Sequence, residues 1–193
     1  MPVTYTNRKG RLYFLCQGVT KTGKPRYYFA LEPKATLVDR LPDGYEVQES
    51  VNGVVSLIRF QPNLISDEDI AAVNAALQAH PRARRYRVSI KSKQITIHEN
   101  VGVDMARLES DFGRALWGDS AEKFETAHAQ YRAIMRFTLT DDARLLFKAE
   151  RMCFLGSIDD WIDIDYDESV ARLAATLIPT LGTDEFYELF RIG

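Results

Sequence analysis

Cysteine is scarce in this chain, two among 193 residues, and both lie in apolar runs, Cys16 in "LYFLCQ" and Cys153 in "RMCFLG". A free cysteine in such surroundings behaves as a small hydrophobe. Two cysteines are too few for a disulfide framework or a zinc knuckle. Histidine is scarce as well: His80, His98 and His128 fall on separate predicted elements with no ligand spacing. Long apolar runs are missing, since none approaches the ~20 residues that span a bilayer. The opening "MPVTYTNRKG" has no apolar h-region of a secretory signal. These absences give the expectation of a cytoplasmic protein without membrane contact. No Ser-His-Asp, Cys-His or dinucleotide-binding pattern stands in the chain, and no cofactor is expected.

A complete phosphate-binding loop is also absent, although "GVTKTGKP" (18–25) comes close to one. Such a loop needs a glycine-rich turn that opens a helix, whose free N–H groups hold phosphate, and a Ser or Thr after the lysine to bind magnesium. Here Lys24 is followed by Pro25 and then by "RYYFALE", whose aromatics favour a strand. The stretch therefore reads as a hairpin, with "RLYFLCQ" going out and "RYYFALE" returning. Gly23 supplies the positive φ of the turn.

A large excess of one charge is lacking too. The net charge is −2 with a sequence pI near 6, which excludes a protein coated in positive charge. The balance is uneven along the chain, however. Residues 1–100 hold 15 Lys+Arg against 9 Asp+Glu, and residues 101–193 hold 10 against 18. This permits a basic binding face in the first half, and equally an attraction between halves.

What is present is an ordinary globular composition, 46% apolar and 27% charged. "LPDG" (41–44) is a turn, and Asn52-Gly53 between "YEVQES" and "VVSLIRF" predicts a type I′ hairpin. In "SDEDIAAVNAALQAH", Ser66 is an N-cap and Ile70, Val73 and Leu77 form a helical stripe that Pro81 ends. "RYRVSIKSKQITIHE" alternates with period two, Tyr86, Val88 and Ile90 inward and Arg85, Arg87, Ser89 and Lys91 outward, then Ile95 and Ile97 inward on the return. Near 100–104 the composition turns acidic, giving a soft boundary between a basic β-rich region (1–100) and an acidic, mostly helical one (101–193), which together can form one domain. A stripe of Met105, Leu108, Phe112 and Leu116 predicts a helix. Residues 131–155 fit either a helix or a hairpin turning at Asp141-Asp142, and the hairpin is preferred for Phe137 and Thr138. Asp165 and Glu168 suggest a capping box, and Thr183 a cap for "DEFYELF". The expected class is α+β: an antiparallel sheet of hairpins with packed helices and a mixed second half.

Two constellations could carry function. On the first hairpin, alternation places Leu12, Phe14 and Cys16 with Tyr27, Phe29 and Leu31 on a core face. The other face then carries Arg11, Tyr13 and Leu15 opposite Arg26, Tyr28 and Ala30, with Lys21 and Lys24 in the loop. Rings interleaved with cations suit single-stranded nucleic acid. Alternatively Tyr13 and Tyr28 are a cross-strand pair that stabilises the sheet. The run "RARRYRVSIKSK" supplies Arg85, Arg87, Lys91 and Lys93, a second binding patch or an edge strand guarded by charge. In "SIDDWIDIDYDE" the spacing of Asp163, Asp165 and Asp167 begins like a calcium loop, but Glu168 replaces its glycine and Ala174 its bidentate acid. A two-metal site from Asp159, Asp160, Asp163 and Asp165 is conceivable; capping and solvation explain them more simply. "EPK" (32–34) has only the end of one nuclease motif. The leading expectation is a non-catalytic nucleic-acid-binding protein. The alternative is a protein-interaction or self-association module, a homodimer for instance, using the acidic second half and "FYELF". A metal-dependent hydrolase comes third.

Overall fold

The computed structural model of the chain describes residues 1–33, 36–103, 120–141, 143, 145–154 and 159–190. The stripe expected at Met105, Leu108, Phe112 and Leu116 lies outside them, as do Lys34 of "EPK" and Asp142 of the expected turn. The fold is α+β, built from antiparallel sheets and short helices. The chain divides into two units, each made of two segments: Met1–Gln61 with Gly102–Gln130, and Pro62–Val101 with Tyr131–Gly193. The compositional change near 100 falls where the chain passes from the second unit back to the first. Because the units interleave, the charge asymmetry of the sequence does not separate them. The first has 12 Lys+Arg and 11 Asp+Glu, the second 13 and 16.

In the first unit, β1 (Thr4–Thr6), β2 (Leu12–Val19), β3 (Pro25–Ala30) and β4 (Thr36–Leu37) form one sheet centred on β2. Strands β1 and β4 follow one another along one edge of β2, and β3 takes the other. β5 (Tyr45–Glu49) and β6 (Val55–Arg59) pair as a separate hairpin, and α2 spans Ser120–His128. The hairpin turns 7–10, 20–23 and 50–53 share one design. In each, the first residue's carbonyl accepts the N–H of a glycine three positions on: Asn7–Gly10, Thr20–Gly23 and Ser50–Gly53. Those glycines have φ of +74°, +81° and +77°, the left-handed position of a three-residue loop with a bulge. The first side chain reaches one residue further, Asn7 Oδ1, Thr20 Oγ1 and Ser50 Oγ accepting the N–H of Arg11, Lys24 and Val54. Asn52 therefore does not take the positive φ of a type I′ turn; Gly53 alone does.

The second unit is an antiparallel meander in the order β11-β10-β9-β8-β7: β7 (Tyr86–Lys91), β8 (Gln94–Asn100), β9 (Tyr131–Asp141), β10 (Leu146–Phe154) and β11 (Asp159–Asp167). The hairpin preferred for 131–155 is β9–β10. Helices α1 (Asp67–Ala79), α3 (Val170–Leu177) and α4 (Asp184–Glu188) complete the unit. Val73 and Leu77 of α1 and Leu173, Ala174 and Leu177 of α3 join Ile95, Ile97, Met135, Phe137 and Phe147 of the sheet in one core. Tyr86, Val88 and Ile90 turn toward it, as period two requires. Ser66 caps α1 by accepting the Asp69 N–H at 3.1 Å, and Thr183 caps α4 by accepting the Phe186 N–H.

The acidic segment departs from expectation. Asp165 caps no helix: "DDWIDIDYD" is edge strand β11, its alternation of apolar and acidic residues being a strand period, and Ser169 is the N-cap of α3. The aspartates protect the edge. Asp160 Oδ1 accepts the N–H of Trp161 at 2.7 Å and Asp165 Oδ1 that of Tyr166 at 2.8 Å, closing donors that a foreign strand would otherwise use.

Candidate functional site

The first hairpin has a register that rearranges the expected faces. Phe14 pairs with Ala30, Leu15 with Phe29, Cys16 with Tyr28, Gln17 with Tyr27 and Gly18 with Arg26. Directly opposed residues share a face. Tyr28 and Arg26 therefore lie with Phe14, Cys16 and Gly18, while Tyr13 follows Leu15 to the other side. The two tyrosines do not form a cross-strand pair. The cause is the bulged turn, whose extra residue shifts the pairing by one position and exchanges every face. Tyr13 is instead tied to the β5–β6 turn, its hydroxyl donating to the Gly53 carbonyl at 3.4 Å.

The four cations expected on the first hairpin are all exposed. Lys21, Lys24 and Arg26 surround the β2–β3 turn, all exposed, and no carboxylate pairs with them among the described residues. The Arg26 guanidinium lies 5.9 Å from the centroid of the half-buried Tyr28 ring, beside Gly18, where an added Cβ would touch that ring at 3.4 Å. Arg11 is exposed as well but stands at the opposite end of β2, beyond the Asn7–Gly10 turn. The Gly-x4-Gly-Lys string falls across β2, this turn and β3, so no helix N-terminus follows the lysine.

The second basic run lies in the second unit, where its members part company. Arg85 precedes β7 in a short 3-10 turn, donates to the Asn100 carbonyl at 3.0 Å and pairs with Glu99 at 3.7 Å. Its guanidinium holds structure together. Arg87 points to the sheet face away from the helices, donating to the Tyr86 carbonyl at 2.9 Å with its guanidinium 5.6 Å from the Tyr131 ring. Lys91 is exposed at the end of β7, and Lys93 is half-buried in the turn to β8.

No protein-family model matches the chain, and no curated protein or solved structure does.

The densest polar cluster was not legible in the sequence, because its members come from different strands. On the face of the five-stranded sheet opposite α1 and α3, Glu150 is buried and receives Arg136 Nε at 2.6 Å, Arg136 Nη2 at 2.9 Å and Lys148 Nζ at 2.8 Å. Lys148 also reaches Asp163 at 3.1 Å, whose other oxygen accepts the Tyr166 hydroxyl at 2.5 Å. The Arg136 guanidinium lies 4.1 Å from the Trp161 ring. Burial pushes the Glu150 carboxyl upward, but hydrogen bonds from Arg136 and Lys148 outweigh it and hold the group below the usual range. Asp163 is likewise lowered, chiefly by the Tyr166 hydroxyl. Each charge in this network has a partner of opposite sign, which suits structure better than catalysis. Three of the four carboxylates considered for a two-metal site are engaged, Asp160 and Asp165 with backbone N–H groups and Asp163 with Lys148 and Tyr166; Asp159 is exposed at the start of β11. Among the described residues no three His, Cys, Asp or Glu side chains are gathered as a metal ion would require.

Proposed function

We propose that the protein is a non-catalytic binding protein that contacts nucleic acid through the tip of the β2–β3 hairpin. The reading rests on one observation: Lys21, Lys24 and Arg26 crowd a single exposed turn, and among the described residues no carboxylate neutralises them. Such a turn attracts a phosphate backbone by releasing its counterions. Arg26 over Tyr28 supplies a flat surface on which a base can stack. Arg11 and Tyr13 have no part in this contact, since they lie elsewhere on the sheet.

The test is a salt titration of fluorescent oligonucleotide binding. Replacing Lys21, Lys24 and Arg26 together by Ala flattens the logarithmic salt slope by roughly 0.7 per lost phosphate contact to single strands. Tyr28→Ala instead costs about 1–3 kcal/mol and leaves the slope nearly intact, because stacking releases no counterions. Each variant is first confirmed as folded. Failure of the parent protein to bind single- or double-stranded DNA or RNA at low salt sinks the proposal.

A second reading, a protein-interaction or self-association module, draws on the C-terminal segment. There Phe186 is buried while Tyr187 and Phe190 are 51% and 62% exposed. Sedimentation across a wide concentration range tests the self-associating form, which predicts a dimer weakened by Phe190→Ser.

A further inference from the structure

The two borders of the five-stranded sheet are finished differently, and among the described residues β7 is the one left open. Among the described residues β7 pairs only with β8. In an antiparallel strand the N–H and C=O groups of alternate residues point to opposite edges. Tyr86 shows which set faces outward: its N–H donates to the Ala83 carbonyl and its C=O accepts Arg87 Nη1, neither of them on β8. The tight turn at Ser92 and Lys93 agrees, since in such a turn the flanking pair Lys91 and Gln94 bond each other. Val88 and Ile90 therefore present their backbone groups outward. No hydrogen bond reaches those groups among the described residues.

On β11 the outward N–H groups of Trp161 and Tyr166 are closed by the neighbouring aspartates. Strand β7 has no such closure at Val88 or Ile90, and its exposed side chains are cations: Arg84 just ahead, then Arg87 and Lys91. Those charges repel a second β7 edge, so they disfavour symmetric pairing of two copies. The same charges attract an extended segment whose side chains alternate with acids, to which the free backbone groups offer a ladder. We propose that the β7 edge receives an extended acidic peptide segment of a partner protein as a sixth strand, with Arg87 and Lys91 pairing its carboxylates. This edge belongs to the second unit and the β2–β3 turn to the first, and the proposal does not rest on nucleic-acid binding at that turn.

The experiment uses the full chain and a fluorescein-labelled peptide of alternating valine and glutamate. Two further peptides carry N-methyl groups on the valine amides or on the glutamate amides. Binding is read by anisotropy, and amide exchange at Val88 and Ile90 by NMR. The expected result is salt-sensitive binding that slows exchange at both amides. It weakens about tenfold or more when Arg87→Glu and Lys91→Glu are combined, and by a similar factor for one N-methylated peptide but not the other. Equal binding of all three peptides overturns the proposal, because charge alone then explains it. So does absence of binding, or an oligonucleotide that protects Val88 and Ile90 where the acidic peptide does not. Should the double charge reversal fail to fold, the N-methylated pair and the exchange data on the parent chain still decide.

Discussion

Every residue of the continuous apolar core belongs to the second unit, where helices α1 and α3 close one face of a five-stranded sheet. The buried apolar side chains described in the first unit are few: Leu15, Cys16, Val51, Val55 and Ala129. Polar ties accompany them among the described residues. Asn7 Nδ2 donates to the Gly53 carbonyl at 2.5 Å, Lys9 Nζ to the Ala129 carbonyl at 2.8 Å, and Glu49 gathers Tyr5 and Arg8. A unit built on apolar area spreads its stability over many contacts, whereas one built on hairpins concentrates it in a few directional bonds. The contrast teaches where binding chemistry can reside. A hairpin anchored by its turns can hold a charged tip in solvent, and a sheet covered by helices on one side can offer only its edge and its other face.

The largest effect that breaks this comparison comes from the core. Phe137→Ala removes a fully buried ring packed among Ile95, Met135 and Phe147, and costs about 3–5 kcal/mol. Hydrogen exchange is expected to accelerate across β7–β11 and much less in β1–β6. Equal acceleration everywhere would show that the two units unfold as one.

Asn7→Ala comes next, at about 1–3 kcal/mol. Asn7 is 4% exposed; its Oδ1 accepts the N–H groups of Lys9 and Arg11, while its Nδ2 holds the β5–β6 turn. The loss should appear as faster exchange in β1, β2 and the 50–53 turn, with β7–β11 unchanged. Asn7→Asp keeps the acceptor and loses the donor, so it should weaken the tie to Gly53 while sparing the 7–10 turn.

Much of the second unit was legible in the sequence because period two and period 3.6 are written directly into it. The alternation of 86–97, the Ser66 cap and the stripe of α1 all follow from local spacing. What escaped depends on one-residue offsets or on distant partners. The polar-x-x-Gly turns "NRKG", "TKTG" and "SVNG" are visible as strings, but a bulge's extra residue decides which side each side chain takes. For that reason Tyr28 and Arg26 lie on the face of Cys16 and Gly18 rather than on that of Tyr13. Glu150 gave no signal, since Arg136, Lys148 and Asp163 meet it only after three strands pair. The aspartates of β11 fit helix caps as well as a strand edge, because a short acidic run does not state whether it ends a strand or opens a helix.

A shallower effect comes from acid. Glu49 in the first unit and Glu150 in the second are both raised by burial and lowered more by their partners, so each titrates below its ordinary value of 4.5. A carboxyl with a depressed folded pKa adds stability that is full above the unfolded value and is lost as pH falls through the folded one. Both units should therefore hold above pH 5 and weaken below about 4.5. Arg8→Gln should lower the stability of the first unit at neutral pH and shrink the part that it loses on acidification, with the second unit unchanged, as read by unit-resolved exchange. Identical acid profiles for variant and parent would remove Glu49 from the ties of the first unit.

The smallest effect sharpens the comparison by changing its sign. Tyr86 is 1% exposed, its ring edge-on to His80 at 5.1 Å, and its hydroxyl has no hydrogen-bond partner among the described residues. Burial raises its pKa, with the Glu99 charge adding to the effect. A buried hydroxyl without a partner costs desolvation and returns nothing, so Tyr86→Phe should stabilise the second unit by up to about 1 kcal/mol. In a chain of this size that is a rise in Tm of roughly 2–4 °C. The alkaline limb gives an independent reading. An acid whose folded pKa is raised contributes stability below its unfolded value, near 10, and loses it as pH climbs through the folded value. The parent should therefore lose stability above about pH 10 along a slope that the phenylalanine variant lacks. Removing a polar group then weakens the first unit at Asn7 and strengthens the second at Tyr86. A loss of more than about 1 kcal/mol in Tyr86→Phe would mean that the hydroxyl is satisfied in solution and that the second unit, too, depends on polar ties.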